Sequence, residues 1–333
     1  MKVLVTGGLG FIGSHTVVEL IKAGHEAIIV DNLYNSSIEV LNKIEKLTNI
    51  RPKFYEVDIL DSEKLDNVFK TNKIDAVIHF AGYKAVGESV LKPLMYYQNN
   101  IVGSLNLYNT MINNKVHKIV FSSSATVYGD PISVPINETF DLKTTNPYGT
   151  TKLQNEQILK DLSKAFEELS VVILRYFNPI GAHSSGLLGE QPNGIPNNLL
   201  PYIAQVADGT REFLSVYGDD YDTVDGTGVR DYIHVVDLAI AHIKALDYAN
   251  SNLGYETFNV GTGVGYSVLE IVKAFEKASN KKINYKIVAR RPGDIASCYA
   301  DTKKANNILG FKTQYDINQM CIDAWNFQKS LIK

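Results

Sequence analysis

Lys2-Val3-Leu4-Val5-Thr6-Gly7-Gly8-Leu9-Gly10-Phe11-Ile12-Gly13 is the stretch whose reading decides the fold. A short run rich in Val and Leu predicts a buried parallel strand, and the glycine turn after it opens a helix over 11–23. Ala27-Ile28-Ile29-Val30 is a second strand, ending at Asp31 and completing a βαβ unit. Gly7 makes the tight turn, Gly10 lets backbone approach a pyrophosphate, and Gly13 lets helix and strand pack closely. The anion sits on the helix's N-terminal N–H groups.

Asp31 lies about twenty residues past the turn, where a carboxylate hydrogen-bonds an adenosine ribose 2′-OH and repels a 2′-phosphate. NAD is therefore favoured over NADP. A glycine-rich turn alone also serves merely to pack a helix; strand, helix, second strand and terminal Asp together carry the nucleotide reading. The GxxGxxG spacing of Gly7, Gly10 and Gly13 resembles that of the short-chain dehydrogenase/reductase superfamily.

Composition bounds the rest. The chain has 333 residues, 45% hydrophobic and 21% charged, so it can hold two domains or one domain with a large lobe. A net charge of −3 with no basic run argues against a nucleic-acid surface. No signal peptide or membrane-length apolar run is visible, and Cys298 and Cys321 lie too far apart for a Cys-x-x-Cys, so a cytoplasmic protein without disulfide framework or metal site is expected. Trp325 sits in a C-terminal amphipathic pattern and reads as core.

The polar loop Asn32 to Ser37, with Asn35 and Ser36, suits an adenosine ribose and nearby phosphate. A third strand over 54–58 ends at Asp58, a helix capped by Ser62 follows, and Ala76-Val77-Ile78-His79-Phe80-Ala81-Gly82 is a fourth strand. Parallel strand ends face the crevice, which places Asp58, Phe80, Ala81, Gly82 and Lys84 against NAD. The chain is mostly helical over 88–113, broken at Pro93, before a fifth strand over 118–121 runs into Ser122-Ser123-Ser124-Ala125-Thr126.

Asn146-Pro147-Tyr148-Gly149-Thr150-Thr151-Lys152 opens the next helix, and Tyr148 and Lys152, four apart, share a face. A tyrosine is a poor base at neutral pH unless positive charge favours its phenolate, which Lys152 and a nicotinamide ring supply. Ser124 would hydrogen-bond the reacting oxygen while Tyr148 takes the proton of a secondary alcohol. Such a Tyr-x-x-x-Lys spacing also arises by chance; its place at a helix start, after a strand ending in serine, sets it apart.

After a sixth strand over 171–177 the βα rhythm stops. Loop-rich sequence over 178–228, including Gly194 to Pro201, marks a second, substrate-facing lobe. The chain returns over 232–262 with a helix and a last strand at Thr257 to Gly261. A helix capped by Ser267, a strand over 283–288, the turn Arg290-Arg291-Pro292-Gly293-Asp294 and C-terminal helices complete it. Arg230 and Arg291, two of six arginines and each read as beside a turn, can clamp a diphosphate, although either also suits a surface salt bridge. The expected fold is an α/β Rossmann-type doubly wound parallel sheet over 1–177, with a smaller, discontinuous α/β substrate lobe from 178–231 and 263–333.

Thr6-Gly7-Gly8, Ile78 to Gly82, Ser122 to Gly129, the Tyr148/Lys152 pair, Arg175-Tyr176-Phe177-Asn178 and Gly228 to Val235 together resemble the UDP-glucose 4-epimerase family, from end to end. The resemblance implies tightly held NAD on Gly7, Gly10, Phe11, Ile12, Gly13, Asp31, Asn32, Asn35, Ser36, Asp58, Ile59, Lys84, Asn99, Ser122, Tyr148, Lys152 and Tyr176. It implies a UDP-sugar on Lys84, Ser124, Tyr148, Asn178, Asn198, Leu199, Tyr217, Arg230, Arg291 and Asp294, with Tyr217 where Phe is common against the uracil. Cys298 matches the position that governs room at the sugar's C2, where a bulky Tyr excludes an N-acetyl group; a small buried thiol is the plainer role. A homodimer through helices over 88–113 and 148–165 is a further implication. Two rivals stay open: a nucleotide-sugar 4,6-dehydratase, although no carboxylate follows Ser124, and a non-catalytic NAD-binding protein, although Tyr148 and Lys152 are both present.

Overall fold

The computed structural model describes residues 1–332 except 193, 197 and 292, so Asn197 and Pro292 lie outside the described residues. In chain order the first half runs β1 (Lys2–Thr6), α1 (Phe11–Lys22), β2 (Glu26–Asp31), α2 (Glu39–Thr48), β3 (Lys53–Glu56), α3 (Ser62–Thr71) and β4 (Ala76–His79). Helices α4 (Val86–Leu91), α5 (Pro93–Tyr97) and α6 (Gly103–Asn113) follow, with a π-helical turn over Gln98–Val102 between the last two. Then come β5 (Lys118–Ser124), α7 (Pro147–Ala165) and β6 (Ser170–Tyr176).

The central sheet has the order β3-β2-β1-β4-β5-β6, all parallel, extended beyond β6 by a seventh strand from residues 254–260. Strand alternation decides its layers. Val3 and Val5 pack with Val17, Val18 and Leu20 of α1 on one face, whereas Leu4 packs on the other with Leu65 of α3, Leu107 of α6 and Leu159 of α7. Each fully buried Val or Leu contributes roughly 1.5–3 kcal/mol. The strand order reverses between β1 and β4, which opens a crevice at their C-terminal ends.

The second half adds β7 (Asn178–Ile180), α8 (Leu199–Ala207), β8 (Leu214–Tyr217), β9 (Val229–His234), α9 (Val235–Ser251), β10 (Gly254–Val260), β11 (Gly265–Ser267), α10 (Val268–Ser279), β12 (Tyr285–Val288), β13 (Ser297–Cys298) and α11 (Ile317–Leu331). The returning segment expected over 232–262 contains α9, which packs beside α1, and β10, the seventh strand of the central sheet. The end of β9 pairs elsewhere: β9 is the middle of a small sheet with β7, β11 and β13. β8 and β12 form a separate parallel pair, and α8, α10 and α11 close a third core around Ile203, Phe275 and Trp325.

Several local expectations need correction. The cap of α3 is Asp61, whose carboxylate accepts from the Lys64 amide at 3.1 Å, and Ser62 is already helical. β5 runs through Ser124, so the serines are strand residues. Arg230 lies within β9 and not beside a turn. One helix ends the chain, preceded by a π turn over Ala305–Leu309. Ser267 caps α10 as expected, in a full capping box with Glu270. Among the described residues no helix is long and apolar enough to cross a membrane.

Candidate active site

The glycine turn is shaped by exclusion. Gly7 has φ +67°, a left-handed conformation, and a Cβ there would press 2.9 Å from the Ala81 amide nitrogen. A Cβ on Gly13 would overlap the Gly7 carbonyl oxygen, so helix and turn meet only without one. The first turn of α1 is left facing the crevice with no side-chain cap. Asp31 fastens this turn to the next loop: Oδ2 accepts from Leu9 N at 3.0 Å, and Oδ1 accepts from Leu33 N at 3.0 Å and Ser36 Oγ at 2.8 Å. A carboxylate offers about four acceptor sites, so one remains for a ribose hydroxyl. These features fit a dinucleotide.

Around the same crevice Asn32 donates to Asp58 at 2.9 Å, and Ile59 packs where Gly103 has no side chain. Asn35 lies in the loop between β2 and α2, and Phe80, Ala81 and Gly82 follow β4. Asn99 sits in the π turn and donates to Asn100 at 2.9 Å. Asn100, which sequence reading passed over, ties the Tyr83 backbone to Thr151 of α7 through bonds of 2.8, 3.0 and 3.1 Å. Its signal is weak, since one Asn in a helical run looks like any surface amide.

α7 begins where Asn146 caps it, accepting from Gly149 N at 2.8 Å, with Pro147 at the first position. That start puts Tyr148 in the first turn, where the helix dipole favours an anion, and Lys152 one turn on. Tyr148, Lys152 and Ser124 are all buried. Lys152 donates to the Ser122 carbonyl at 2.7 Å and lies 5.9 Å from the Tyr148 ring centre. Burial pushes the Tyr148 hydroxyl up to about 12, with the nearby Ser124 hydroxyl opposing the rise. Burial pushes Lys152 down to about 8, opposed by the nearby Glu156 carboxylate. Ser122 Oγ pairs with the Tyr176 hydroxyl at 2.8 Å, and burial raises that tyrosine too.

The other lobe supplies a second group. The Arg291 guanidinium lies 4.6 Å from the Tyr217 ring centre and donates to Asp294 at 2.9 Å. Arg230 pairs in register with Cys298 on β13 and donates to the Val229 carbonyl at 2.8 Å. Cys298 sits in an apolar cluster with Ala125 and Phe177, directly past Ser124, and burial pushes its thiol up to about 11. Asn178 is exposed at the start of β7. Asn198 and Leu199 form the N-terminus of α8. Lys84 and Asn198 meet on one carboxylate, Glu190, another residue the sequence reading missed.

A parallel sheet with a glycine turn at its switch point and a Ser, Tyr, Lys group at the end of its fifth strand defines an extended short-chain dehydrogenase/reductase. The family model described as GDP-mannose 4,6 dehydratase matches residues 4–324. The UDP-glucose 4-epimerase of Bacillus subtilis is 59% identical over 330 residues, covering 99% of this chain and 97% of that protein. The UDP-glucose 4-epimerase of Pasteurella multocida is 58% identical over 330 residues, covering 99% and 98%. Among solved structures, UDP-glucose 4-epimerase from Bifidobacterium longum in complex with NAD+ and UDP is 54% identical with a TM-score of 0.97, covering 99% of this chain and 98% of that one. The chain belongs to the UDP-glucose 4-epimerase family.

Proposed function

We propose that the protein holds NAD and interconverts UDP-glucose and UDP-galactose by reversible epimerisation at C4, through a 4-keto intermediate. One observation carries the reading: Ser124, Tyr148 and Lys152 converge beside the dinucleotide crevice, and the turn Ala125-Thr126-Val127-Tyr128 directly after Ser124 holds no carboxylate. Eliminating water, as a 4,6-dehydratase does, needs an acid and a base there.

Gly7, Gly10, Phe11, Ile12, Gly13, Asp31, Ser36, Lys84, Asn99 and Lys152 would hold NAD. When bound, it supplies a positive ring and the acceptor and donor of hydride at C4. Tyr148 takes the O4 proton and returns it, Ser124 holds O4, and Lys152 stabilises the phenolate. Lys84, Tyr217, Arg230, Arg291, Asn178 and Asn198 would retain the uridine diphosphate while the keto sugar turns. On this reading residues 1–177 with the return over 232–262 carry the cofactor, and 178–231 with 263–333 carry the substrate.

Three finer readings belong with it. The small Cys298 leaves room for an N-acetyl group, so UDP-N-acetylglucosamine and its galacto epimer are also substrates. The exposed Val90, Leu91, Leu94 and Leu105 on α4 to α6 support a homodimer through these helices and α7. The protein acts in the cytoplasm. The deciding experiment incubates purified protein with UDP-galactose, without added NAD, and identifies the product by proton NMR. UDP-glucose without net NADH is expected; a 4-keto-6-deoxy sugar, net NADH or no turnover would overturn the proposal.

A further inference from the structure

Glu190 stands outside the catalytic group, yet it touches both sides of the crevice. Its Oε1 accepts from Lys84 Nζ at 2.7 Å and from Asn198 Nδ2 at 2.6 Å. Lys84 lies in the loop after β4, and Asn198 is the N-cap residue of α8, with no side-chain cap bond of its own. The Glu190 side chain is 10% exposed, whereas that of Lys84 is 50% exposed. The carboxylate's place is set from behind: at Gly189 a Cβ would run into the Phe327 ring of α11, so the segment is pressed against that helix.

Resting on the epimerase reading, in which Lys84 and Asn198 meet the substrate's diphosphate, we infer that Glu190 is a positioning residue that occupies these two donors until the diphosphate displaces it. The chemistry is that of one anion standing in for another. Lys84 and Asn198 offer their N–H groups to a carboxylate as they would to a phosphate oxygen. A carboxylate left close to a bound diphosphate is a like charge, which weakens binding. Because a single oxygen holds both donors, its departure frees both together. The bridge therefore ties Lys84 to α8 before substrate arrives and restrains affinity for the nucleotide, which favours release.

The test is calorimetric titration of UDP into the NAD-bound wild type, Glu190→Gln, Lys84→Met and the double variant, with steady-state kinetics on UDP-galactose. Glutamine keeps the volume and an acceptor oxygen and removes the charge. Glu190→Gln is expected to bind UDP about three- to tenfold more tightly, the size of one screened charge a few ångströms away. KM falls with it, and kcat moves less. With Lys84→Met in place, Glu190→Gln is expected to tighten UDP binding by a smaller factor than it does alone, because the Asn198 bond and the like charge remain while the Lys84 bridge is gone. A folded, NAD-loaded Glu190→Gln that binds UDP no more tightly than the wild type overturns the inference. If that variant loses NAD or its fold, Glu190→Ala is read in the same way, and loss of fold in both makes Glu190 structural and overturns it as well. Wild type that binds UDP without epimerising would overturn the epimerase reading alone; wild type that binds no UDP overturns both.

Discussion

Burial pushes Tyr148 up to about 12 and Lys152 down to about 8, so both groups are driven toward their neutral forms. The helix N-terminus at Tyr148 and the Glu156 carboxylate near Lys152 work against this, and on the proposed reading the positive ring of bound NAD would add to them. Tyr148→Phe is expected to lower kcat at least 100-fold while UDP binding persists, checked by kinetics and calorimetry. Cys298→Tyr is expected to lose turnover of the N-acetylated sugars selectively; equal loss for plain sugars would contradict the role assigned to the thiol. Histidines set a different limit. His15 and His79 are pushed down to about 3 and His242 to about 4, each chiefly by burial. Below pH 6.5 the unfolded chain takes up protons that these folded imidazoles refuse, so stability falls with acidity. Each histidine costs about 1.4 kcal/mol per pH unit in that range. Urea midpoints between pH 7 and 5 should drop accordingly, and His242→Phe should make the drop shallower, since its Nε2 has no hydrogen-bond partner among the described residues and its ring packs on Phe80. An unchanged slope would show that His242 titrates freely.

At the scale of elements, the start of α7 matters most. Asn146 caps the helix and Pro147 sets its first turn, which aims Tyr148 and Lys152 into the crevice. Asn146→Ala is expected to cost about 1 kcal/mol of stability and to lower kcat more than KM, checked by urea unfolding and steady-state kinetics. Helix starts of this kind were legible because Asn, Ser and Asp signal through their own backbone neighbours. The misplaced cap at Ser62 shows the limit: Asp61 and Ser62 both suit the position, and only the backbone decides. The π turn that brings Asn99 and Asn100 inward has no such signal. It depends on Gly103 passing close to Ile59 and on Asn100 finding Tyr83 and Thr151.

At the scale of the molecule, a buried ion pair joins α7 to the sheet. Arg175 on β6 grips Glu156 with bonds of 2.6, 3.0 and 3.1 Å, and Ser123 of β5 donates to the same carboxylate at 2.5 Å. Arg175 also donates to the Tyr128 hydroxyl at 3.0 Å, which donates in turn to Asn259 of β10 at 2.7 Å. Removing one partner strands a charge in the core. Arg175→Met is expected to cost about 3–5 kcal/mol, and adding Glu156→Gln to restore a large part of it. Urea unfolding of the two variants checks this; equal losses would show that the pair is not coupled. Asp231 joins the small sheet to the central one in a similar way, accepting from Thr262 N at 2.8 Å, Gly263 N at 2.9 Å and Ala300 N at 3.1 Å.

The sequence by itself determined the parallel sheet, the dinucleotide turn and the Tyr148/Lys152 pair. Each is written in residues a few positions apart: short continuous apolar runs, glycines three apart, a tyrosine and lysine one helical turn apart. Tertiary structure alone decided the rest. β9 could have joined the central sheet by its pattern, but it pairs with β7, β11 and β13, strands of two or three residues too short to carry a pattern of their own. Glu190 meets Lys84 across a separation of 106 residues, and Asn259 meets Tyr128 across 131. Local sequence encodes backbone preference and which face is apolar; which distant side chains share a hydrogen bond is settled only when the packed elements bring them within 3 Å of each other.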